Sequence, residues 1–143
     1  MTQDDWAAWR CKQDCAALYV AYGNAVDARK YDRVISLFTA DAVMQRMGKM
    51  LNGHVGIAEY LHARPLTQVI RHVMTNMEIF PESTDRARGV CYFVAFIEPG
   101  SDGDTDIPMD GPAVMGEVLS EFRRDGEAWK FSLFDARLTF VRK

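Results

Sequence analysis

The chain has 143 residues, 48% of them apolar and 26% charged, and a formal net charge of −3. These are ordinary values for one globular domain over 1–143 and exclude wholesale disorder. With no basic block and no run long enough to span a bilayer, nucleic acid and membranes are not expected as partners.

The N-terminus, MTQDDWAAWR, is acidic and lacks an apolar core, so no signal peptide is expected and the cytoplasm is the anticipated location. Gln3 to Ala28 reads as a helix, because Trp6, Trp9, Leu18, Tyr22, Ala25 and Val26 recur at steps of three and four. Thr2 followed by Asp5 makes a capping start. Cys11 and Cys15 lie four apart on this helix, where Cβ atoms are about 5–6 Å apart. A disulfide needs roughly 3.8 Å, so they read as reduced thiols, which suits a reducing compartment. Tyr31 to Phe38 repeats the helical spacing, and Ala42 to Leu51 reads as a strand pair around Gly48–Lys49. Asn52 and Gly53 form a turn before a third helix marked by Ile57, Tyr60 and Leu61 and ended by Pro65.

Beyond Pro65 the period changes to two. Val69 to Phe80 is strand-like and is followed by Pro81 and the turn ESTD. Arg88 to Ile97 is apolar on both faces, with Cys91 as core filling. Ala113 to Arg123 and Ala128 to Val141 are joined by Asp125–Gly126–Glu127. Helices followed by long meandering strands define an α+β class. The expected architecture is a cone: a curved antiparallel or mixed sheet wrapped around three N-terminal helices, with a central cavity. The two-faced apolar strand predicts a homodimer through the outer sheet face. Cover by the first helix is the alternative.

Few residues are placed to carry chemistry. Asp27 ends the first helix and His72 lies within a strand, and neither has a partner nearby in sequence. A carboxylate holding an imidazole makes a base that works near neutral pH. The plainer readings are a helix-end carboxylate in water and a core histidine bonded to a backbone carbonyl. Alternation puts His72, Met74, Asn76 and Glu78 on one strand face, and Val73, Thr75, Met77 and Ile79 on the other. Tyr22 is either a helix-packing ring or a phenol that donates to a substrate oxygen. Arg137 is either an anchor at the cavity mouth or, as its spacing from Asp135 favours, an ion-pair partner. Phe38, Met74, Phe93 and Phe131 are the expected apolar lining, for a small apolar or aromatic molecule.

Asp102, Asp104 and Asp106 suggest calcium, but the loop lacks glycine at its sixth position and an acid at its twelfth. His54 and His62 have no carboxylate at ligating spacing, so no metal is expected. There is no phosphate-cradling glycine loop, dinucleotide fingerprint or nucleophile elbow, which leaves a reaction without a cofactor.

The segments VDARKYDRVISLFTADAV, LNGHVGIAEYL, RHVMTN and DGEAWKFSLFDARLTF resemble the SnoaL-like group of the nuclear transport factor 2-like superfamily, from about Cys15 to Phe140. The resemblance implies the cone, dimers and a deep apolar cavity. Cofactor-free lyases of that superfamily (scytalone dehydratase, a bile-acid dehydratase, a dehydrochlorinase) use an aspartate–histidine dyad. It maps here onto Asp27 and His72, with Asn76 completing a His-x-x-x-Asn pattern. Tyr22 matches a catalytic tyrosine and Arg137 loosely matches a late arginine. The departures are an apolar residue near Phe93 in place of a second histidine, and Gly116 and Val118 around a late serine and asparagine. They argue against scytalone as the substrate. The implied function is a dehydratase- or isomerase-like abstraction of a proton next to a carbonyl. The alternative is a non-catalytic ligand-binding or subunit-assembly module of the same fold.

Overall fold

Thr2 opens the first helix with a reciprocal cap: its Oγ1 accepts from the Asp5 N–H at 3.1 Å, and the Asp5 carboxylate accepts from the Thr2 N–H at 2.8 Å. The computed structural model describes residues 1–101, 103 and 105–143, so Asp102 and Asp104 lie outside the described residues. Helix α1 (Gln3–Asp27) buries Cys11, Cys15, Tyr19, Tyr22 and Val26, spaced four, four, three and four apart. Trp6 and Trp9 do not belong to this stripe. They are 48% and 50% exposed and pack edge-on against each other. Their spacing is helical, but they point off the buried face. Cys11, Cys15 and Cys91 are all free and buried.

A short α2 (Tyr31–Ser36) leads into β1 (Phe38–Arg46), β2 (Lys49–Asn52) and α3 (Gly53–His62). The second helix stops before Phe38, which instead starts β1. Gly53 is the first residue of α3 rather than part of a separate turn. Then come β3 (Gln68–Pro81), β4 (Arg86–Pro99), β5 (Val114–Asp125) and β6 (Ala128–Val141). The six-stranded sheet has the order β2-β1-β6-β5-β4-β3. It is mixed, because β1 pairs parallel to β6 while the other neighbours are antiparallel. Register shifts interrupt β1–β6, β3–β4 and β5–β6. Bulges of this kind bend strands and increase their twist, and here the sheet curls around α1.

The aromatic core lies between α1 and the concave face. Phe131 is fully buried, and the rings of Tyr19, Tyr22, Phe38, Phe122 and Phe134 surround it. At the other end of α1, Gly23 allows close approach to β3. A Cβ there would sit 3.1 Å from Met74 Cγ and 3.4 Å from His72 Cβ. Gly23→Val should wedge helix and strand apart and cost about 1–3 kcal/mol by overpacking, read as a lower melting temperature. The convex face leaves Val73, Tyr92 and Phe140 exposed. Among the described residues no helix is long and apolar enough to cross a membrane.

Candidate active site

Asp27 is the last residue of α1, and β3 is an edge strand whose outward N–H groups have no neighbouring strand. The close packing at Gly23 brings the two together. Asp27 Oδ2 accepts from the His72 backbone N–H at 2.8 Å, and Oδ1 lies 2.6 Å from His72 Nδ1. An ionised carboxylate can only accept, so Nδ1 carries the proton, and in the neutral ring the lone pair falls to Nε2. The side chains of His72 and Asp27 are 9% and 12% exposed. One carboxylate therefore fixes the position of the strand, the orientation of the ring and its tautomer.

His72 lines a cavity of about 370 Å³ between α3, β2 and the concave sheet. That lies towards the lower end of the range usual for small-molecule sites, about 300–1,000 Å³. Ile70, Phe93, Val114 and Leu138 supply apolar wall, and Arg46, Tyr60 and Arg64 supply polar groups. At the inner end a small extension reaches Tyr22, Met74, Val118 and Phe134 and shares Arg46 and His72 with the main chamber. The Tyr22 ring is 6.4 Å from the His72 ring, and its phenol oxygen accepts from Arg46 Nη1 at 3.3 Å. Burial pushes the Tyr22 phenol pKa up, and the nearby Arg46 charge only partly opposes this, so the hydroxyl keeps its proton. A larger groove of about 430 Å³ lies between the start of α1 and the β3–β4 turn, lined by Asp4, Asp14, Glu82 and Arg124 among others. Among the described residues it is lined by no histidine, whereas the smaller chamber carries the hydrogen-bonded Asp27–His72 pair at its wall.

The structure gathers Asp27, His72, Tyr22, Met74 and Phe93 at one place. It moves four other candidates elsewhere. Asn76 has φ +52° inside the register shift between Thr75 and Glu78, and its exposed side chain accepts from Thr75 Oγ1 at 3.1 Å. Asparagine tolerates this left-handed backbone, and the bulge reverses the alternation. Met77 and Ile79 turn inward, while Asn76 and Glu78 turn outward. Arg137 lies on the convex face, paired with Asp135 at 2.8 Å, and is absent from the cavity wall. Phe38 and Phe131 are fully buried in the aromatic core behind the cavity rather than on its lining.

Arg46, Tyr60 and Arg64 escaped the sequence reading. A signal existed for the first: Ala42, Met44 and Arg46 alternate along β1, which places a cation on the core face of a strand. The other histidines have structural roles. His54 Nε2 lies 2.9 Å from the Phe38 carbonyl, and His62 packs edge-on against Tyr31. Among the described residues no cluster of three or more His, Cys, Asp or Glu side chains is arranged to hold a metal ion.

A family model described as a SnoaL-like domain matches residues 10–135. No curated protein matches the chain in sequence. Among solved structures, a Novosphingobium aromaticivorans protein named as a candidate scytalone dehydratase is 17% identical with a TM-score of 0.78, over 99% of this chain and 91% of that one. The hexachlorocyclohexane dehydrochlorinase LinA-type3 from Novosphingobium barchaimii is 20% identical with a TM-score of 0.73, over 97% and 91%. A Mycobacterium tuberculosis protein of unknown function is 18% identical with a TM-score of 0.84, over 99% and 78%. At these identities the likeness establishes the fold.

Proposed function

The chain belongs to the SnoaL-like family, and from that premise we propose that it is a cofactor-independent lyase or isomerase. The observation that carries this reading is the hydrogen-bonded Asp27–His72 pair on the wall of an apolar cavity. His72 Nε2 removes a proton from the carbon next to a substrate carbonyl, and the C–H electron pair moves into an enolate. Asp27 stabilises the imidazolium formed, as a carboxylate does behind a general-base histidine. The Tyr22 hydroxyl donates to the developing enolate oxygen, and the Arg46 N–H donated into that phenol strengthens it as a donor. In a dehydration the enolate expels hydroxide from the neighbouring carbon, and the imidazolium proton completes the water. In an isomerisation the same proton returns at a different carbon.

Two of the structural neighbours carry names that denote elimination, a dehydratase and a dehydrochlorinase. Apolar walls suit a cyclic substrate, with Met74 and Phe93 beside the reacting carbon. A panel of cyclic β-hydroxyketones, followed by the ultraviolet absorbance of the enone product, tests the reading. Turnover of at least one member supports it. A protein that binds panel members yet neither dehydrates them nor exchanges their α-protons is a ligand carrier instead.

The protein works as one domain over 1–143, in the cytoplasm, and as a homodimer through the convex sheet face, where Val73, Tyr92 and Phe140 are exposed. Light scattering should give twice the 16.2 kDa chain mass. Val73→Glu should yield monomer, because it would bury a charge without a partner in the middle of that face. A wild-type monomer rejects the dimer.

A further inference from the structure

The cavity is cationic inside a protein that is acidic overall. The chain carries a net charge of −3, yet the chamber wall holds Arg46, Lys49 and Arg64 and, among the described residues, no carboxylate. Asp27 reaches His72 from behind the wall, so three cations face a single acid.

The three cations differ in what they do. Arg64 donates from Nη1 to the Val26 carbonyl at 2.7 Å and from Nη2 to the Gln68 carbonyl at 3.1 Å, tying the end of α1 to the start of β3. Lys49 is exposed on β2, at the rim. Arg46 has donors to spare. A guanidinium carries five N–H groups, and among the described residues only Nη1 has an acceptor, the Tyr22 phenol. Its Nε is buried without a partner and closed to any ligand, and its plane is held 4.8 Å over the Tyr60 ring, so the Nη edge is the part of the guanidinium left for a ligand. The planar, two-oxygen group that matches a guanidinium edge is a carboxylate.

We propose that Arg46 is a carboxylate-binding residue and that the cavity takes a ring-bearing carboxylic acid, held by its acid group on Arg46 with its ring against Ile70, Phe93, Val114 and Leu138. Tyr22 is then free to donate to a separate ring carbonyl. The assignment deepens the proton-abstraction reading and rests on it for the chemistry, but its test is binding alone. Because Arg46 and His72 share the inner end of the chamber, an acid anchored on Arg46 brings the adjoining ring carbons to Nε2.

Calorimetric titration of 2-naphthoate against 2-naphthamide separates charge from shape, since the two differ only in the anionic group. The wild type should prefer the acid by roughly tenfold or more, equivalent to about 1.4 kcal/mol. Arg46→Met should bring the two ligands within about twofold of each other, Arg46→Lys should restore part of the preference, and Lys12→Met, an exposed cation of α1 outside the chamber, should keep it. Equal binding of acid and amide by the wild type overturns the proposal, as does a preference that survives Arg46→Met or vanishes with Lys12→Met. The same titration on His72→Ala separates the two readings. Acid preference there with no exchange activity in the wild type sinks the lyase alone, whereas exchange activity without acid preference sinks the carboxylate site alone.

Discussion

Replacing His72 with alanine should lower the rate of α-proton exchange on a cyclic ketone in D₂O by about 10²–10⁴-fold, the usual contribution of a positioned general base. Exchange is the better readout because it needs only the first step, removal of the proton, and is indifferent to which leaving group the true substrate carries. Asp27→Asn should cause a loss of similar order. The carboxamide keeps the size of the side chain but carries no charge to stabilise the imidazolium, and the corresponding change in a serine protease triad costs about 10⁴-fold. Asp27 makes two bonds, to the ring and to the His72 backbone N–H. The asparagine oxygen can still accept from one of them, so the variant should remain folded by circular dichroism while losing activity. Wild-type exchange in a folded His72→Ala protein would remove the base assignment altogether.

Phe131→Ala should destabilise the protein by roughly 3–5 kcal/mol, the usual cost of removing a fully buried phenylalanine. Five aromatic rings surround this side chain, and rigid rings collapse poorly into the space its loss leaves. For a chain of this size the melting temperature should fall on the order of 10 °C. Because Phe131 lies behind the cavity rather than on its wall, ligand affinity measured well below the melting temperature should barely change. Lost affinity with little loss of stability would return Phe131 to the cavity lining.

How far the sequence reached depended on whether a feature was local. Periodicity of three and four against two located the helices and strands, and Thr2 with Asp5 announced the start of α1, because caps and amphipathic stripes are determined within a few residues. Features set by contacts distant in sequence were less legible. Strict alternation failed on β3 because Asn76 adopts a left-handed conformation within a bulge defined against β4, so every face assignment beyond Thr75 reversed. Spacing favoured an ion pair for Arg137 over an anchor at the cavity mouth, and the pleat of β6 sets that pair with Asp135 on the convex face. Trp6 and Trp9 looked like core until the true stripe of α1 ran through Cys11, Cys15 and Tyr19.

The residue types from which a base could be built, Asp27 and His72, were visible in the chain by itself, together with the α+β order of elements. Only tertiary structure brought those side chains to 2.6 Å across 45 positions of sequence. It did so because Gly23 lets α1 lie close on an edge strand whose spare N–H group needed an acceptor. Tertiary structure also turned Arg46 into the chamber. A cation on the core face of a strand gains a meaning only when the sheet curls to leave space in front of it.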